Sequence, residues 1–214
     1  MNMDTVVQAK GGDPGDEEVA GSLTVDADHQ LAPFNPTSVE IQEKLLGLLK
    51  LRSDDVLFDL GCGDGRFLIT AASRVPGLRC VGIEYDSKFV VRANDSIARL
   101  PENVRDRIDI REGDLLTLGK TTQLNLDEDQ DDAVSDLQAA LTDATAIYVY
   151  LLPKGIKKIK HILDRVLEHR MTRNLELRVV TYLFQIHGWE PTVVDTNTKS
   201  KSPMYLYNFS PQRA

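Results

Sequence analysis

Residues 59–66 form the first part of the chain whose residue types and spacing could bind a ligand. They follow a hydrophobic stretch and precede a predicted helix. Because glycine has no Cβ atom, a turn built from glycines lets the backbone approach a nucleotide-like ligand closely. We expect ligand contacts from Asp59, Gly61, Cys62, Gly63, Asp64 and Gly65.

The spacing of these glycines distinguishes between two classes of nucleotide cofactor. A dinucleotide-binding turn has the pattern GxGxxG and places a pyrophosphate at a helix N-terminus. This chain has GxGxG, and Asp59 lies two positions before the first glycine. A carboxylate at that position would repel a pyrophosphate, but it can attract the cationic amino group of a methionine moiety. The pattern therefore favours S-adenosyl-L-methionine over NAD as the cofactor.

Two further acidic residues lie at the ends of neighbouring predicted strands. Glu84 ends the second strand, where a carboxylate can accept hydrogen bonds from both ribose hydroxyls of an adenosine. NAD sites also carry an acid there, so Glu84 alone does not separate the two cofactors. Asp114 follows the third strand, and we expect it to bind the adenine amino group while Leu115 packs on the ring. The alternatives are an ordinary βα turn and a turn-stabilising aspartate.

Short β-rich runs that alternate with amphipathic helical stretches must position these residues. The alternation predicts βαβ units, that is, an α/β Rossmann-like doubly wound sheet with helices on both faces. A capping-box pattern at residues 37–40 predicts the start of a first helix. Further helices are expected at residues 66–74, 87–98 and 154–169, and strands at residues 56–60, 80–84, 108–112, 146–151, 177–183, 192–195 and 204–209. We expect the first five strands to be buried, and a terminal antiparallel hairpin to follow the fifth.

Composition limits the domain organisation and the partners. The chain has 214 residues, of which 42% are hydrophobic and 27% charged, which suits one α/β domain at residues 31–214. Residues 1–30 are expected to form a disordered acidic leader, and residues 120–139 an acidic surface insertion. The formal net charge of −8 disfavours nucleic-acid binding. We expect a monomer that acts on a protein.

The same features bear on location and metal binding. The leader is acidic and does not resemble a signal or transit peptide, and no run is long and apolar enough to span a membrane. The two cysteines, Cys62 and Cys80, do not form a metal-binding or disulfide pattern. We therefore expect a cytoplasmic, reducing location and no metal site.

Three motifs resemble those of class I S-adenosylmethionine-dependent methyltransferases. They occupy residues 33–37, 58–66 and 148–153, within a resemblance that runs from about Pro33 to Trp189. More narrowly, they resemble a family of protein-lysine methyltransferases that includes the enzymes modifying the mitochondrial adenine nucleotide translocase and the ATP synthase c-subunit. The resemblance implies a seven-stranded sheet of order 3-2-1-4-5-7-6, with the last strand antiparallel, a cofactor at the carboxyl ends of the strands, and methyl transfer to lysine. The chain lacks the membrane-inserting N-terminal segment of the animal members, and its acidic leader disfavours a mitochondrial location.

The resemblance directs attention to the end of the fourth strand, where Tyr150 and Pro153 are the candidate catalytic residues. The Tyr150 ring could line a methyl-donor channel, or its hydroxyl could accept a hydrogen bond from an incoming amine. Alternatively, Tyr150 fills the space between sheet and helix. Thr37 is expected to bind the methionine carboxylate, unless it only caps the first helix.

Two other functions remain compatible with the sequence. The first is a methyltransferase that acts on a small molecule or on RNA, although the acidity of the chain disfavours RNA. The second is a non-catalytic module that binds the cofactor. The intact acids Asp59, Glu84 and Asp114 disfavour that module, because a site without activity need not keep them.

Overall fold

The computed structural model describes residues 31–118, 137 and 140–210. The strands are β1 Val56–Leu60, β2 Arg79–Glu84, β3 Ile108–Glu112, β4 Ala146–Val149, β5 Leu177–Tyr182, β6 Val193–Asp195 and β7 Met204–Phe209. The helices are α1 Val39–Leu49, α2 Arg66–Arg74, α3 Ser87–Ile97, α4 Glu102–Arg105 and α5 Pro153–Thr172, and residues 140–142 are also helical. The predicted acidic leader lies outside the described residues, as does nearly all of the predicted insertion.

The strands form one seven-stranded sheet with the order β3-β2-β1-β4-β5-β7-β6. Strands β1 to β5 pair in parallel, whereas β7 runs antiparallel to both β5 and β6. The predicted fold class and strand order are therefore confirmed. Because parallel strands end at the same edge, the segments that follow β1 to β5 lie together at one end of the sheet.

Alternate residues of the central strands face two separate cores. Phe58 and Leu60 of β1 join a cluster with apolar residues of α5, while Leu57 packs with apolar residues of α1 and α2 on the opposite face. Because β1 is covered on both faces, all five of its residues are buried, Asp59 included. None of the helices in the described ranges is long and apolar enough to cross a membrane.

Two predictions about these elements are wrong. Strand β3 was expected to be buried, but no residue in it is fully buried, because it lies at the edge of the sheet and is paired on one side only. The capping box at residues 37–40 does not form either. Helix α1 is capped one residue later, by Ser38, whose hydroxyl accepts a hydrogen bond from the Ile41 N–H at 3.4 Å. Glu40 instead forms an ion pair with Lys199, at 3.6 Å.

A buried ion pair joins the amino ends of the central strands. Asp55, immediately before β1, accepts hydrogen bonds from the guanidinium of Arg178 in β5 and from the Thr145 hydroxyl, at 2.7 Å in the second case. Arg178 also donates to the carbonyls of Leu49 and Lys50, which end α1. One charged pair therefore connects a helix end to two strands.

Candidate functional site

A cavity of about 290 Å³ lies at the carboxyl ends of the parallel strands. Its walls come from the segments that follow β1, β2, β3, β4 and β5, and from residues 33–37, which cross over it and are called the strap below. Most of the predicted site residues line this cavity, namely Thr37, Asp59, Gly61, Cys62, Gly63, Asp64, Glu84, Asp114, Leu115 and Tyr150. Gly65 and Pro153 do not: Gly65 caps α2, and Pro153 is the first residue of α5.

The glycine turn has a backbone conformation that favours glycine at three positions. Gly61, Gly63 and Gly65 have φ values of 87°, 55° and 71°, in the left-handed region. The N–H groups of Gly61 and Cys62 donate to the carbonyl of Ile83, which fixes the turn against β2. At Gly63 there is also no room for a side chain, because a Cβ atom would lie 2.9 Å from the Phe34 ring.

Asp59 is a buried carboxylate that lines the cavity. Its exposed fraction is only 3%, and it accepts no hydrogen bond from the described part of the chain. Burial raises the pKa of Asp59 well above its ordinary value, and the charges of Glu84 and Asp64 raise it further. An unpaired buried carboxylate is unfavourable, so a cationic group bound beside it would stabilise its ionised form.

The two other predicted acids are held by backbone N–H groups. Glu84 accepts from Gly63 N–H at 2.8 Å and from Asp86 N–H at 3.0 Å, which places its carboxylate at the glycine turn. Asp114 accepts a hydrogen bond from the Leu116 N–H at 2.8 Å, so it stabilises its own turn. A turn-stabilising aspartate was the alternative that the sequence left open. Asp114 also lines the cavity beside the buried Leu115, so the two roles are compatible.

The strap is attached to β4 and to the residue after it. The Asn35 amide donates to the Tyr150 hydroxyl at 2.8 Å, and the hydroxyls of Thr37 and Tyr148 are 3.0 Å apart. Immediately before Asn35, Phe34 stacks on Phe89 of α3 with ring centroids 4.2 Å apart. The Arg66 guanidinium lies 6.0 Å from the Phe34 ring centroid, while its nitrogen atoms bind Asp64. The strap therefore forms part of the cavity wall.

The segments after β4 and β5, together with Asn35 of the strap, form a less polar wall. We call it the aromatic end, and it consists of Asn35, Tyr150, Leu152, Leu183 and Phe184. Tyr150 also packs on Tyr182, with ring centroids 4.9 Å apart. Burial raises the pKa of Tyr150, and Tyr182 adds to the effect, so its phenol is neutral near pH 7. Strand β4 ends at Val149, so Tyr150 follows the strand instead of lying within it.

The polypeptide conformation after β5 directs Phe184 into this wall. Leu183 has a φ of 70°, which is uncommon for a residue with a branched side chain. Its N–H donates to the Pro203 carbonyl at 2.9 Å, and the Thr181 hydroxyl donates to the Phe184 carbonyl at 2.6 Å. These two bonds hold the left-handed turn, and such strained turns often occur at functional sites.

Sequence reasoning did not assign roles to four residues of this cavity, namely Phe34, Asn35, Phe89 and Phe184. Phe34 and Asn35 belong to the motif at residues 33–37, which supported the resemblance to methyltransferases, so a signal for them was present. Phe89 was predicted only as part of the apolar face of a helix, and Phe184 followed a predicted strand. Their positions depend on contacts between distant segments.

Comparison with known proteins gives the family. A family model described as "Putative methyltransferase" matches residues 53–181, from the turn before β1 to β5. The chain belongs to this methyltransferase family. Its expected resemblance to class I S-adenosylmethionine-dependent methyltransferases is confirmed. The matched region includes the glycine turn and every predicted acid of the cavity, but it does not include the strap.

Individual relatives of this methyltransferase differ in the acceptor that their names give. It is 28% identical over 163 residues to a protein-lysine N-methyltransferase of Saccharolobus islandicus (strain REY15A), covering 76% of this chain and 83% of the relative. It is also 28% identical to an RNA methyltransferase from Salinibacter ruber, solved in complex with S-adenosyl-L-homocysteine, with a TM-score of 0.60 and coverage of 84% and 96%. A precorrin-6y C5,15-methyltransferase from Geobacter metallireducens shares the fold at 15% identity, with a TM-score of 0.51 and coverage of 86% and 95%.

Proposed function

We propose that this S-adenosylmethionine-dependent methyltransferase transfers its methyl group to the side-chain amine of a lysine in a protein. The protein-lysine N-methyltransferase of Saccharolobus islandicus, which aligns with most of this chain, supports a lysine acceptor. The residue types of the aromatic end provide independent support, because they suit an amine at the end of an aliphatic chain. Both arguments leave the target protein open.

The residues of the cavity fit the cofactor. Asp59 provides an unpaired buried carboxylate for the cationic amino group, and the glycine turn provides a surface without side chains. Glu84 suits the ribose hydroxyls, and Asp114 with Leu115 suits the adenine. When bound, the cofactor would supply a methyl group on a cationic sulfur, and transfer to a neutral amine would leave a thioether and a methylammonium that carries the positive charge.

The observation that carries the proposal is the uncharged aromatic end, where Tyr150 and Phe184 lie at the ends of β4 and β5. A lysine can accept a methyl group only when its amine is neutral, and a less polar environment lowers the pKa of an amine. The four methylenes of a lysine can pack along apolar side chains while the amine reaches the methyl group. The wall therefore favours the neutral form of such an acceptor and positions it.

The distribution of charge favours a cationic acceptor over a phosphate-bearing one. Among the described residues, the cavity is lined by the carboxylates of Asp59, Asp64, Glu84, Asp86 and Asp114 and by one cation, Arg66. Arg66 is already paired with Asp64. A negative potential attracts a protein lysine and repels nucleic-acid phosphates.

RNA is nevertheless the second candidate acceptor. The chain is also 28% identical to a solved RNA methyltransferase, and the match covers 96% of that protein. Aromatic side chains such as Tyr150 and Phe184 could stack on a base. The two acceptors predict different products, so one experiment separates them.

The test is incubation of the purified full chain with methyl-labelled S-adenosylmethionine and total protein and RNA from the source organism. We expect label in methyl-lysine after acid hydrolysis of the protein fraction, and none in nucleosides. The matched control is Glu84→Ala, for which we expect loss of cofactor binding and of label. Labelled nucleosides without methyl-lysine would contradict a lysine acceptor and favour RNA.

A further inference from the structure

The hydrogen bond between the Asn35 amide and the Tyr150 hydroxyl joins residues 115 positions apart at the aromatic end of the cavity. Asn35 is exposed on the strap, whereas Tyr150 follows β4. The position of the strap is fixed by further bonds, since the Thr37 hydroxyl pairs with Tyr148 and the Thr37 carbonyl accepts from Gln42 at 2.7 Å. The strap is therefore also held by bonds that do not involve Asn35.

The polar groups of this end are matched to the needs of a neutral primary amine. Such an amine has two N–H groups, which require acceptors, and one lone pair, which must stay free to attack the methyl carbon. Among the five residues of the aromatic end, Asn35 and Tyr150 alone carry polar side chains; the others are Leu152, Leu183 and Phe184. The Tyr150 oxygen accepts one bond from Asn35 and keeps one lone pair for an amine hydrogen. The Asn35 carbonyl oxygen has no hydrogen-bond partner in the described part of the chain.

We propose that Asn35 is a catalytic residue of the acceptor site: its carbonyl oxygen and the Tyr150 hydroxyl each accept one N–H of the incoming lysine amine and so direct its lone pair towards the methyl group. The inference rests on the proposed lysine acceptor and adds a residue from outside the matched region of the family. The Asn35 amide nitrogen meanwhile holds Tyr150 in position. A protonated lysine has no lone pair, so only the neutral amine can react when it is held by these two acceptors.

Three variants test this role, with the rate of labelled methyl-lysine formation in the protein extract measured at saturating S-adenosylmethionine from pH 6 to 10. Asn35→Ala is expected to lower the rate about 10- to 100-fold, which is the usual contribution of a group that positions a reactant. Tyr150→Phe is expected to have a similar effect. In the double variant, the loss should be smaller than the product of the two single losses, because both residues act on the same amine.

Asn35→Asp gives a signature that a structural role would not produce. The new carboxylate would stabilise the lysine ammonium and raise its pKa, so the rising limb of the pH–rate profile should move to higher pH by about one unit. Asn94→Asp, on the exposed surface of α3, introduces the same charge outside the cavity and should leave the profile in place. The dissociation constant of S-adenosylhomocysteine, measured by calorimetry, should change less than about threefold in Asn35→Ala.

Failure of the proposed role of Asn35 can be distinguished from failure of the proposed lysine acceptor. A wild-type protein that forms no methyl-lysine overturns the lysine acceptor and this inference with it. If the wild type forms methyl-lysine but Asn35→Asp keeps the wild-type pH profile, only the role of Asn35 is overturned. A loss of cofactor affinity in Asn35→Ala as large as the loss of rate also overturns it, because Asn35 would then only hold the strap over the cofactor.

Discussion

Two buried aspartates lie four positions apart, Asp55 immediately before β1 and Asp59 near its carboxyl end, and their surroundings are opposite. At the amino end, Asp55 is 1% exposed and is bound by Arg178, Thr145 and the backbone of Arg52. Burial acts to raise the pKa of Asp55, but these hydrogen bonds outweigh it and hold the pKa below its ordinary value. At the carboxyl end, Asp59 is equally buried without such partners, and its pKa is raised.

The difference between the two carboxylates favours a structural role for Asp55, and it leads us to propose a ligand-binding role for Asp59. The partners of Asp55 come from the chain itself, so its charge is neutralised as soon as the protein folds. Asp59 remains unfavourable until a cationic ligand binds, and perturbed groups of this kind cluster at functional sites. The same residue type, with the same burial, thus stabilises the fold at one end and is available to a cofactor at the other.

The largest expected effect comes from removing the partner at the amino end. Arg178→Met removes the buried guanidinium that pairs with Asp55 and leaves this carboxylate only Thr145 and Arg52, which should lower the free energy of unfolding by about 3–5 kcal/mol in urea titrations. The double variant Asp55→Asn, Arg178→Met should recover a large part of this loss. Arg79→Met, on the exposed first residue of β2, is the matched control, with an expected change within about 0.5 kcal/mol. A double variant no more stable than Arg178→Met would contradict the pairing.

At the carboxyl end, Asp59→Asn should have the opposite effect on stability and a strong effect on binding. Removing an unpaired buried charge should raise the free energy of unfolding of the free protein by about 1–2 kcal/mol. The affinity for S-adenosylhomocysteine, measured by calorimetry, should fall about 10- to 100-fold, because the cationic amino group loses its carboxylate. Unchanged affinity would rule out Asp59 as a cofactor ligand.

The pH dependence of stability should distinguish the two aspartates by sign. Because the pKa of Asp59 is raised, the folded state binds the Asp59 proton more tightly than the unfolded state does. The stabilisation from this proton is present below the ordinary pKa of 3.8 and is lost as pH rises above it. The lowered pKa of Asp55 gives a contribution that is present above 3.8 and is lost as pH falls through the folded-state pKa.

The measurement is the free energy of unfolding from pH 3 to 7 for the wild type, Asp55→Asn and Asp59→Asn. The wild type should lose stability relative to Asp59→Asn as pH rises through this range. Relative to Asp55→Asn, it should lose stability as pH falls towards its lower end. Difference curves that slope in the same direction would refute the contrast between the two ends.

The smallest expected effect concerns helix α1, whose end is bound by Arg178 at the amino ends of the strands. Gly47 lies inside α1, and a Cβ added there would meet no described atom within 4 Å apart from its chain neighbours and the backbone of its own helix. Gly47→Ala should therefore raise the free energy of unfolding by about 0.5–1 kcal/mol, since alanine favours a helix. The melting temperature should rise by a few degrees, and the affinity for S-adenosylhomocysteine should not change. A change in that affinity would show that the two ends are coupled.

The sequence predicted local features of this molecule better than long-range ones. Strand β1 and helix α2 have the predicted bounds, because an apolar run followed by a glycine turn determines its own structure. The edge position of β3 could not be derived from periodicity, since burial depends on what packs against a strand. The helix cap moved from Thr37 to Ser38 because the Thr37 hydroxyl meets Tyr148, a residue 111 positions away.

The candidate site likewise contains some residues that local spacing predicted and others that only long-range contacts bring to the cavity. Asp59, Glu84 and the glycines follow one another within two βα units, so spacing was enough to predict that they meet. Asn35 and Phe184 reach the cavity only because the strap crosses β4 and because Leu183 adopts a left-handed conformation. The roles assigned to all these residues stay predictions until the variants are measured.

The attachment of the strap has a consequence for the order in which the protein is made. Residues 33–37 leave the ribosome early, but their partners Tyr148 and Tyr150 follow more than a hundred residues later. A nascent chain that ends before β4 has the complete glycine turn and still lacks one wall of its cavity. The strap can therefore complete the cavity wall only after β4 and the residue that follows it have been synthesised.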